Sequence, residues 1–410
     1  MRKMDKSDIT YFEACEKYPD FSKFIILKID MQRRGYVISD KAMQLIKYRG
    51  IYQLSERTMS REENGNYPIS FLLRDGTSVI TRPSLHSRKK IPYKIDTLDE
   101  KFIVSFDGIA IDEIFPWEKP NFYDKYTSRG TPMWHIANAR PQRLDINPFQ
   151  YCEFWKSMDG CKFCAGQETY ARSIKPPGLS IQEIEETVEE ALNEKGRYTS
   201  ILLTGGSIVG GENRFDNEVN IYIEILKRIG KQFGDRKFPS QLIGTAYEKK
   251  QMKKLYEETG LMFYTSDIEV LNSDLFQWIC PGKSKYIGYD TWKERLFYAV
   301  EIFGKGYVST GIVAGVEMAK PYGYMNEEQA LESTLKEAEI FFRNGVSVVS
   351  CVWRIAADSL FSEQTGPTLD FYIRLTRELN LMRKKYIPNL GLDDYRRCGN
   401  HPDTDLGRIL

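Results

Sequence analysis

The chain has 410 residues, of which 41% are hydrophobic and 28% are charged, and its formal net charge is +1. This composition is that of a globular protein, large enough for one barrel or two domains. The balanced charge gives no electrostatic case for nucleic acid as a partner, and no apolar run is long enough to span a membrane. We therefore expect a cytoplasmic protein whose seven cysteines stay reduced.

Residues 1–140 are predicted to form a small α+β extension. Its helical and strand-like runs cover residues 7–16, 40–48, 68–80, 93–96 and 102–111. Asp75-Gly76 lies between two apolar runs and predicts a hairpin turn. The Pro-, Tyr- and Gly-rich residues 116–132 are typical of a linker or a long surface loop. A structural role is expected for the lone histidines His86 and His135.

Residues 141–360 alternate between strands and helices and form the predicted core. The strands are expected within residues 143–147, 200–204, 241–245, 261–270, 308–315 and 346–353. One intervening helix is predicted to begin with a capping box formed by Ser180 and Glu183. Six β-α units with apolar strands predict parallel pairing in an α/β fold. That pairing is compatible with a full or partial (β/α)6 TIM-like barrel or with an open doubly wound sheet.

Residues 361–410 are predicted to be a C-terminal helix and tail. The helix covers residues 368–385 and has a continuous apolar face. The polar tail from Pro388 either caps the active site or is disordered, and the sequence leaves both possibilities open.

Three cysteines are clustered after the first core strand, in the pattern C-x8-C-x2-C. They are Cys152, Cys161 and Cys164. Three thiolates can hold three irons of a [4Fe-4S] cluster and leave the fourth iron open, as a catalytic metal site requires. Phe163 could shield one side of such a cluster. The alternative is a structural zinc site, for which His135 is a local candidate ligand.

Several polar or glycine residues are expected on the same edge of the sheet as the cysteines. Gly205-Gly206 ends the second strand, Glu269 closes the fourth, and Gly315 and Glu317 close the fifth. The carboxyl ends of parallel strands meet at one edge in both topologies. The sequence therefore predicts a single active site.

These features together resemble the radical S-adenosylmethionine (SAM) superfamily over residues 140–360. The resemblance rests on the cysteine loop, on Thr204-Gly205-Gly206-Ser207, on Glu269, and on Phe303–Val308 followed by Gly311–Glu317. The first cysteine gap is five residues longer than the usual C-x3-C, and Ser207 stands where the family usually has Glu. The segment from Cys280 to Glu317 looks closest to the biotin-synthase-like branch.

The resemblance implies a [4Fe-4S] cluster and SAM as cofactors. It implies that Gly205, Gly206 and Ser207 approach the methionyl group and that Glu269 accepts hydrogen bonds from the ribose. Phe163, Val313 and Gly315 complete the expected cofactor contacts. The activity implied is cleavage of SAM to a 5′-deoxyadenosyl radical that abstracts hydrogen from a small-molecule substrate. The electron donor would be reduced flavodoxin or ferredoxin.

The remaining cysteines carry weaker predictions. Cys280, in a Pro-Gly turn, is a candidate hydrogen donor or substrate contact, and Cys351 is expected to be a buried small hydrophobe. Cys398 has no neighbouring cysteine, so a second cluster is not expected. The alternatives are a zinc-stabilised α/β binding protein, a radical SAM methyltransferase or sulfur-insertion enzyme, and a regulator that binds SAM without cleaving it.

Overall fold

The computed structural model describes most of the chain, with several gaps. The described residues are 8–51, 67–68, 70–84, 90–140, 142–172, 178–234, 236, 238–388 and 399–406. Their buried apolar side chains form one continuous core. His86 and Cys398, named above, lie outside the described residues.

The first sheet is built from residues that precede the cysteine loop. Its strands are β1 (Tyr36–Ile38), β2 (Ser70–Leu73), β3 (Ser78–Ile80), β4 (Tyr93–Leu98), β5 (Lys101–Phe106) and β6 (Ile109–Pro116). They are ordered β1-β4-β5-β6-β2-β3, and only the β1–β4 pair is parallel. The predicted hairpin is confirmed, since β2 and β3 are antiparallel and Gly76 has a φ of +80° in the turn.

Three helices accompany this sheet. They are α1 (Tyr11–Lys17), α2 (Lys23–Arg34) and α3 (Asp40–Tyr48). The bounds of α3 match the predicted run, and α1 overlaps the first one. Helix α2 was not predicted, because nine of its twelve residues are buried and the sequence therefore lacks a one-sided apolar pattern.

The second sheet has seven strands in chain order. They are β7 (Ala137–Arg140), β8 (Arg143–Ile146), β9 (Ser200–Thr204), β10 (Ser240–Ile243), β11 (Phe263–Thr265), β12 (Val308–Ala314) and β13 (Val346–Val352). Strands β8 to β13 are parallel, and β7 pairs antiparallel with β8. Residues 137–140 of the predicted N-terminal extension thus belong to the second sheet.

The remaining helices mostly connect or cover these strands. They are α4 (Met133–Ile136), α5 (Gly166–Arg172), α6 (Ile181–Leu192), α7 (Asp216–Gly230), α8 (Lys249–Thr259), α9 (Ser273–Ile279), α10 (Pro281–Tyr286), α11 (Tyr289–Phe303), α12 (Glu327–Arg343), α13 (Leu369–Tyr386) and α14 (Pro402–Asp405). In the described part of the chain, no helix combines the length and hydropathy needed to cross a membrane.

The strand order decides between the two predicted topologies. A doubly wound sheet reverses its direction of strand addition, whereas β8 to β13 add one after another in a single direction. The doubly wound alternative is therefore wrong. The protein has a mixed α/β fold whose strand order is that of a (β/α) barrel. Among the described residues, β13 makes no ladder with β7 or β8.

Two local predictions were wrong. Ser180 precedes α6, but its side chain makes no capping hydrogen bond, and the Glu183 carboxylate instead accepts one from the Thr127 hydroxyl at 2.9 Å. The fourth core strand is shorter than predicted. β11 ends at Thr265, and Glu269 forms an isolated bridge with Ile312 in a left-handed conformation, with a φ of +72°.

Candidate functional site

A cavity of about 1130 Å³ brings together most of the predicted site residues. Those that line it are Cys152, Cys161, Phe163, Cys164, Gly205, Gly206, Ser207, Glu269 and Val313. Gly315 and Cys280 are not among its lining residues. These nine residues come from the segments that follow β8, β9 and β11 and from the end of β12, which is the edge where the sequence predicted a single site.

Backbone hydrogen bonds hold the cysteine loop in place at both ends. The Glu153 amide donates to the Ser207 carbonyl at 2.8 Å, which joins the start of the loop to the segment after β9. The Lys162 amide donates to the Ile279 carbonyl at 2.9 Å, which joins its other end to α9. At Cys164, the sulfur accepts a hydrogen bond from the Gly166 amide at 3.2 Å.

The glycine pair after β9 allows the cysteine loop to lie against the end of this strand. A Cβ atom at Gly206 would lie 2.3 Å from the Tyr151 carbonyl oxygen and 2.7 Å from the Cys152 Cα. A Cβ at Gly205 would lie 2.7 Å from the Phe149 ring. No side chain fits at these distances, so the close approach that requires glycine here is to the loop itself.

A buried glutamate that the sequence did not single out holds the segment after the glycine pair. The Glu218 carboxylate accepts a hydrogen bond from the Ile208 amide at 2.8 Å and one from the Thr245 amide at 3.1 Å. It also accepts one from the Tyr247 hydroxyl at 2.6 Å. Burial raises the pKa of Glu218, although these hydrogen bonds oppose the change. Glu218 thus connects the ends of β9 and β10 beside the cavity.

The thiols of Cys152 and Cys161 are held in their neutral form by their surroundings. Burial raises the pKa of Cys152 to about 11. A side-chain hydrogen bond with Cys280, followed by burial, raises the pKa of Cys161 well above its usual value. A metal binds only the deprotonated thiolate, so loading of this site must release protons and favour higher pH.

A buried ion pair lies beside Cys161. The Lys283 ammonium is 2.8 Å from the Glu269 Oε1, and both side chains are largely buried. Burial raises the pKa of Glu269 to about 6, opposed by the charge of Lys283. Burial alone would lower the pKa of Lys283, but the charge of Glu269 raises it instead. Lys283 is therefore a fixed positive charge near the cysteine loop.

The two other described cysteines of the core differ from their predicted roles. Cys280 is fully buried and lies behind Cys161, so the cavity does not reach it. Cys351 is half-buried and lines the cavity, although it was expected to be fully buried. The apolar sequence around Cys351 indicated a buried strand, but it could not indicate that this end of β13 faces an opening.

The three clustered cysteines are compatible with an iron–sulfur cluster. Within the described residues, no three His, Cys, Asp or Glu side chains are grouped closely enough to hold one ion. A single zinc ion requires its donors about 2.0–2.3 Å from one centre. The thiolates of a [4Fe-4S] cluster bind three different irons and can stand further apart. Cys152, Cys161 and Cys164 line one cavity, and both other thiols are near enough to Cys152 to interact with it electrostatically. The three side chains could therefore face one cluster.

Comparison with known proteins gives a distant relative and two similar structures. No family model matches the sequence. The chain is 23% identical, over 276 residues, to the bacteriochlorophyllide c C-7(1)-hydroxylase of Chlorobaculum limnaeum. That match covers 62% of this chain and 65% of the hydroxylase, so the chain spans slightly less than two thirds of the relative's length.

Two solved structures show a partial likeness to this chain at low sequence identity. Methylornithine synthase (PylB) is 16% identical with a TM-score of 0.43, over 58% of this chain and 63% of that one. A radical SAM methyltransferase from Sphaerobacter thermophilus is 14% identical with a TM-score of 0.40, over 93% of both chains.

Proposed function

We propose that the protein is a radical SAM enzyme that acts on a small-molecule substrate. The observation that carries this proposal is the cavity shared by the three clustered cysteines and the Gly205-Gly206 pair. Cys152, Cys161 and Cys164 would hold a [4Fe-4S] cluster. When bound, the cluster and SAM supply a 5′-deoxyadenosyl radical that abstracts a hydrogen atom from the substrate.

The other lining residues have proposed roles in SAM binding. Gly205, Gly206 and Ser207 would face the methionyl group. Glu269 Oε1 is engaged by Lys283, so its Oε2 would accept hydrogen bonds from the ribose. Val313 would contact the adenine, and Phe163 would shield the cluster.

Gly315, also expected to contact SAM, has a different position. Its φ is +100°, and its amide donates to the Glu317 carboxylate at 2.7 Å. It does not line the cavity, so a role in shaping the end of β12 is proposed instead.

The proposal extends to the architecture and the partners. Strands β8 to β13 and their helices would form a partial (β/α)6 barrel, with residues 1–140 as an α+β extension and residues 361–410 as a C-terminal helix and tail. The radical would be generated in the reducing cytoplasm, with reduced flavodoxin or ferredoxin as electron donor. The reaction would take place at the carboxyl ends of the parallel strands, where this architecture has its active sites.

The proposal is tested by purifying the protein without oxygen, reconstituting it with iron and sulfide, and adding reductant and SAM. We expect about four irons per chain, from the cluster stoichiometry, and release of 5′-deoxyadenosine. Cys161→Ala should lose both. Cys15→Ala is the matched control, because Cys15 is half-buried and does not line the cavity. Binding of zinc in place of iron, or equal deoxyadenosine from both variants, would show the proposal to be wrong.

A further inference from the structure

One part of the cavity wall comes from the N-terminal residues, and all of its charged side chains are cationic. Helix α2 and the segments that flank strands of the first sheet contribute Gln32, Arg33, Arg34, Gly35, Tyr67, Arg82, Pro83, Ser84 and Lys90. The four cations are Arg33, Arg34, Arg82 and Lys90, and no Asp or Glu among the described residues before the second sheet lines the cavity. We call these four side chains the cationic wall.

The carboxylates that hold this wall lie behind it. Asp8 and Asp30 do not line the cavity. The Arg33 guanidinium is 2.6 Å from Asp30 Oδ1 and 2.6 Å from Asp8 Oδ2, and its Nη2 also donates to the Pro367 carbonyl at 3.0 Å. Arg34 Nε is 2.7 Å from Asp30 Oδ2. The two carboxylates therefore fix the orientation of the guanidinium groups, as supporting residues do at preorganised binding sites.

The two carboxylates do not balance the cations that share them. Arg33, Arg34 and Lys90 carry three positive charges around two negative ones, and the Lys90 ammonium is 3.5 Å from Asp8. Burial, together with the charge of Arg33, lowers the pKa of Lys90 to about 8, in agreement with an excess of positive charge. Uncompensated charge in a buried position is unfavourable, so an anion bound there would be strongly stabilised.

Arg34 has donor groups left for such an anion. Its Nε is used by Asp30, and its Nη2 is 3.8 Å from Asp8, beyond hydrogen-bond distance. No hydrogen bond joins Nη1 or Nη2 to any residue that the structure describes, and the guanidinium packs over the Phe106 ring at 5.0 Å. The planar guanidinium is suited to bind a carboxylate or a phosphate through two parallel hydrogen bonds.

We propose that the cationic wall binds an anionic group of the substrate, either a carboxylate or a phosphate. This inference rests on the proposed function, since it assigns the substrate to the cavity that contains the cysteine loop. Fixing one end of the substrate by its charge would hold its reacting carbon in a defined position beside the cofactors. The substrate class is therefore a small anionic molecule.

The test measures binding of inorganic phosphate and of succinate by calorimetry to the anaerobically reconstituted protein, with and without SAM. We expect one of the two anions to bind, which distinguishes a phosphate from a carboxylate substrate. Lys90→Gln and Arg34→Gln should each weaken that binding about 10- to 100-fold, as expected when a charge-assisted hydrogen bond is lost. Arg34→Lys should retain part of the affinity. SAM at saturation should leave the binding in place.

The matched control is Lys125→Gln, which removes a lysine that is paired with Glu190 at 2.6 Å and lies outside the cavity. It should bind the anion as the unaltered protein does. Arg34 is buried and its replacement can impair folding, so each variant is checked by circular dichroism. If Arg34→Gln does not fold, the more exposed Lys90 decides the test.

Several results would overturn the inference. The first is that neither phosphate nor succinate binds. The second and third are that Lys90→Gln binds the anion as tightly as the unaltered protein, or that Lys125→Gln loses as much affinity as Lys90→Gln. The fourth is that SAM displaces the anion, which would assign the cationic wall to the SAM carboxylate. These readouts do not depend on SAM cleavage. Anion binding that is lost in Lys90→Gln, in a protein that makes no deoxyadenosine, would support an anion site while contradicting the radical SAM proposal.

Discussion

At the scale of single residues, the ion pair between Lys283 and Glu269 has the largest expected effect on stability near the cysteine loop. Both groups are largely buried, and Lys283 also donates to the Asp267 carbonyl and lies 5.0 Å from the Trp292 ring centre. Removing one partner of a buried pair leaves the other charge without compensation, and this costs more than removing both. Substitution of either residue is therefore a sensitive test of the contact between Lys283 and Glu269.

We predict that Lys283→Met lowers the free energy of unfolding by about 3–5 kcal/mol, because Glu269 is left buried without its partner. The double variant Lys283→Met with Glu269→Gln should recover part of this loss. The measurement is a double-mutant cycle. It compares the urea unfolding of the unaltered protein, of both single variants and of the double variant. Additive effects of the two single substitutions would contradict a direct interaction between the side chains.

Glu317 is predicted to make stability depend on pH. It is buried, and this burial raises its pKa from 4.5 to about 7. Between these values the folded protein holds a proton that the unfolded chain has released, so the contribution is most favourable at low pH and declines as the pH rises toward 7. Glu317→Gln should remove a decline on the order of 2 kcal/mol between pH 5 and pH 7.5. Identical pH profiles of the melting temperature in both proteins would refute this assignment.

At the scale of the elements, the contact between the end of β9 and the cysteine loop positions the proposed cluster ligands. A methyl group at Gly206 would overlap the backbone of Tyr151 and Cys152, so the loop would have to move. The helices and strands that carry the loop do not depend on this contact. A substitution here should therefore affect metal loading more than folding.

We predict that Gly206→Ala reduces the reconstituted iron and sulfide content to less than half, with the far-ultraviolet circular dichroism unchanged. The reason is the calculated approach of 2.3 Å between the added carbon and the Tyr151 carbonyl oxygen. Gly178→Ala is the matched control, because a Cβ at Gly178 would have no neighbour within 4 Å. A full iron content in Gly206→Ala would contradict the described contact.

Local sequence patterns are sufficient to predict some of the helices but not others. Residues 249–259 have one apolar face and a glycine after the last turn, both of which are local signals of a helix, and they form α8. Helices α9 and α10 were not predicted. They are seven and six residues long, which is too short for a clear helical period of apolar residues. Cys280 lies at the junction of these two helices and is buried there.

At the scale of the whole molecule, the chain's C-terminal part supports helix α2 through buried ion pairs. Lys28 in α2 pairs with Asp405 in α14, and both side chains are almost completely buried. Arg383 in α13 pairs with Asp403 at 2.5 Å. The described part of the predicted tail, residues 399–406, is thus a packed element that fixes the helix carrying Arg33 and Arg34.

We predict that Asp405→Asn lowers the free energy of unfolding by about 3–5 kcal/mol, because Lys28 is left charged and buried. The matched control is Asp370→Asn. Asp370 pairs with Lys17, whose side chain is 53% exposed, so the loss should be about 1 kcal/mol or less. The comparison is made by denaturant unfolding. Equal losses in the two variants would contradict a buried anchor for residues 399–406.

The sequence by itself determined the features that depend on residues adjacent in the chain. The cysteine spacing, the hairpin at Asp75-Gly76 and the succession of parallel strands follow from turn residues and local periodicity. The placement of Lys283, Cys351, Arg33 and Arg34 around one cavity was decided by the tertiary structure. These residues are up to about 320 positions apart in the chain, and no local pattern encodes which buried side chains face the same opening.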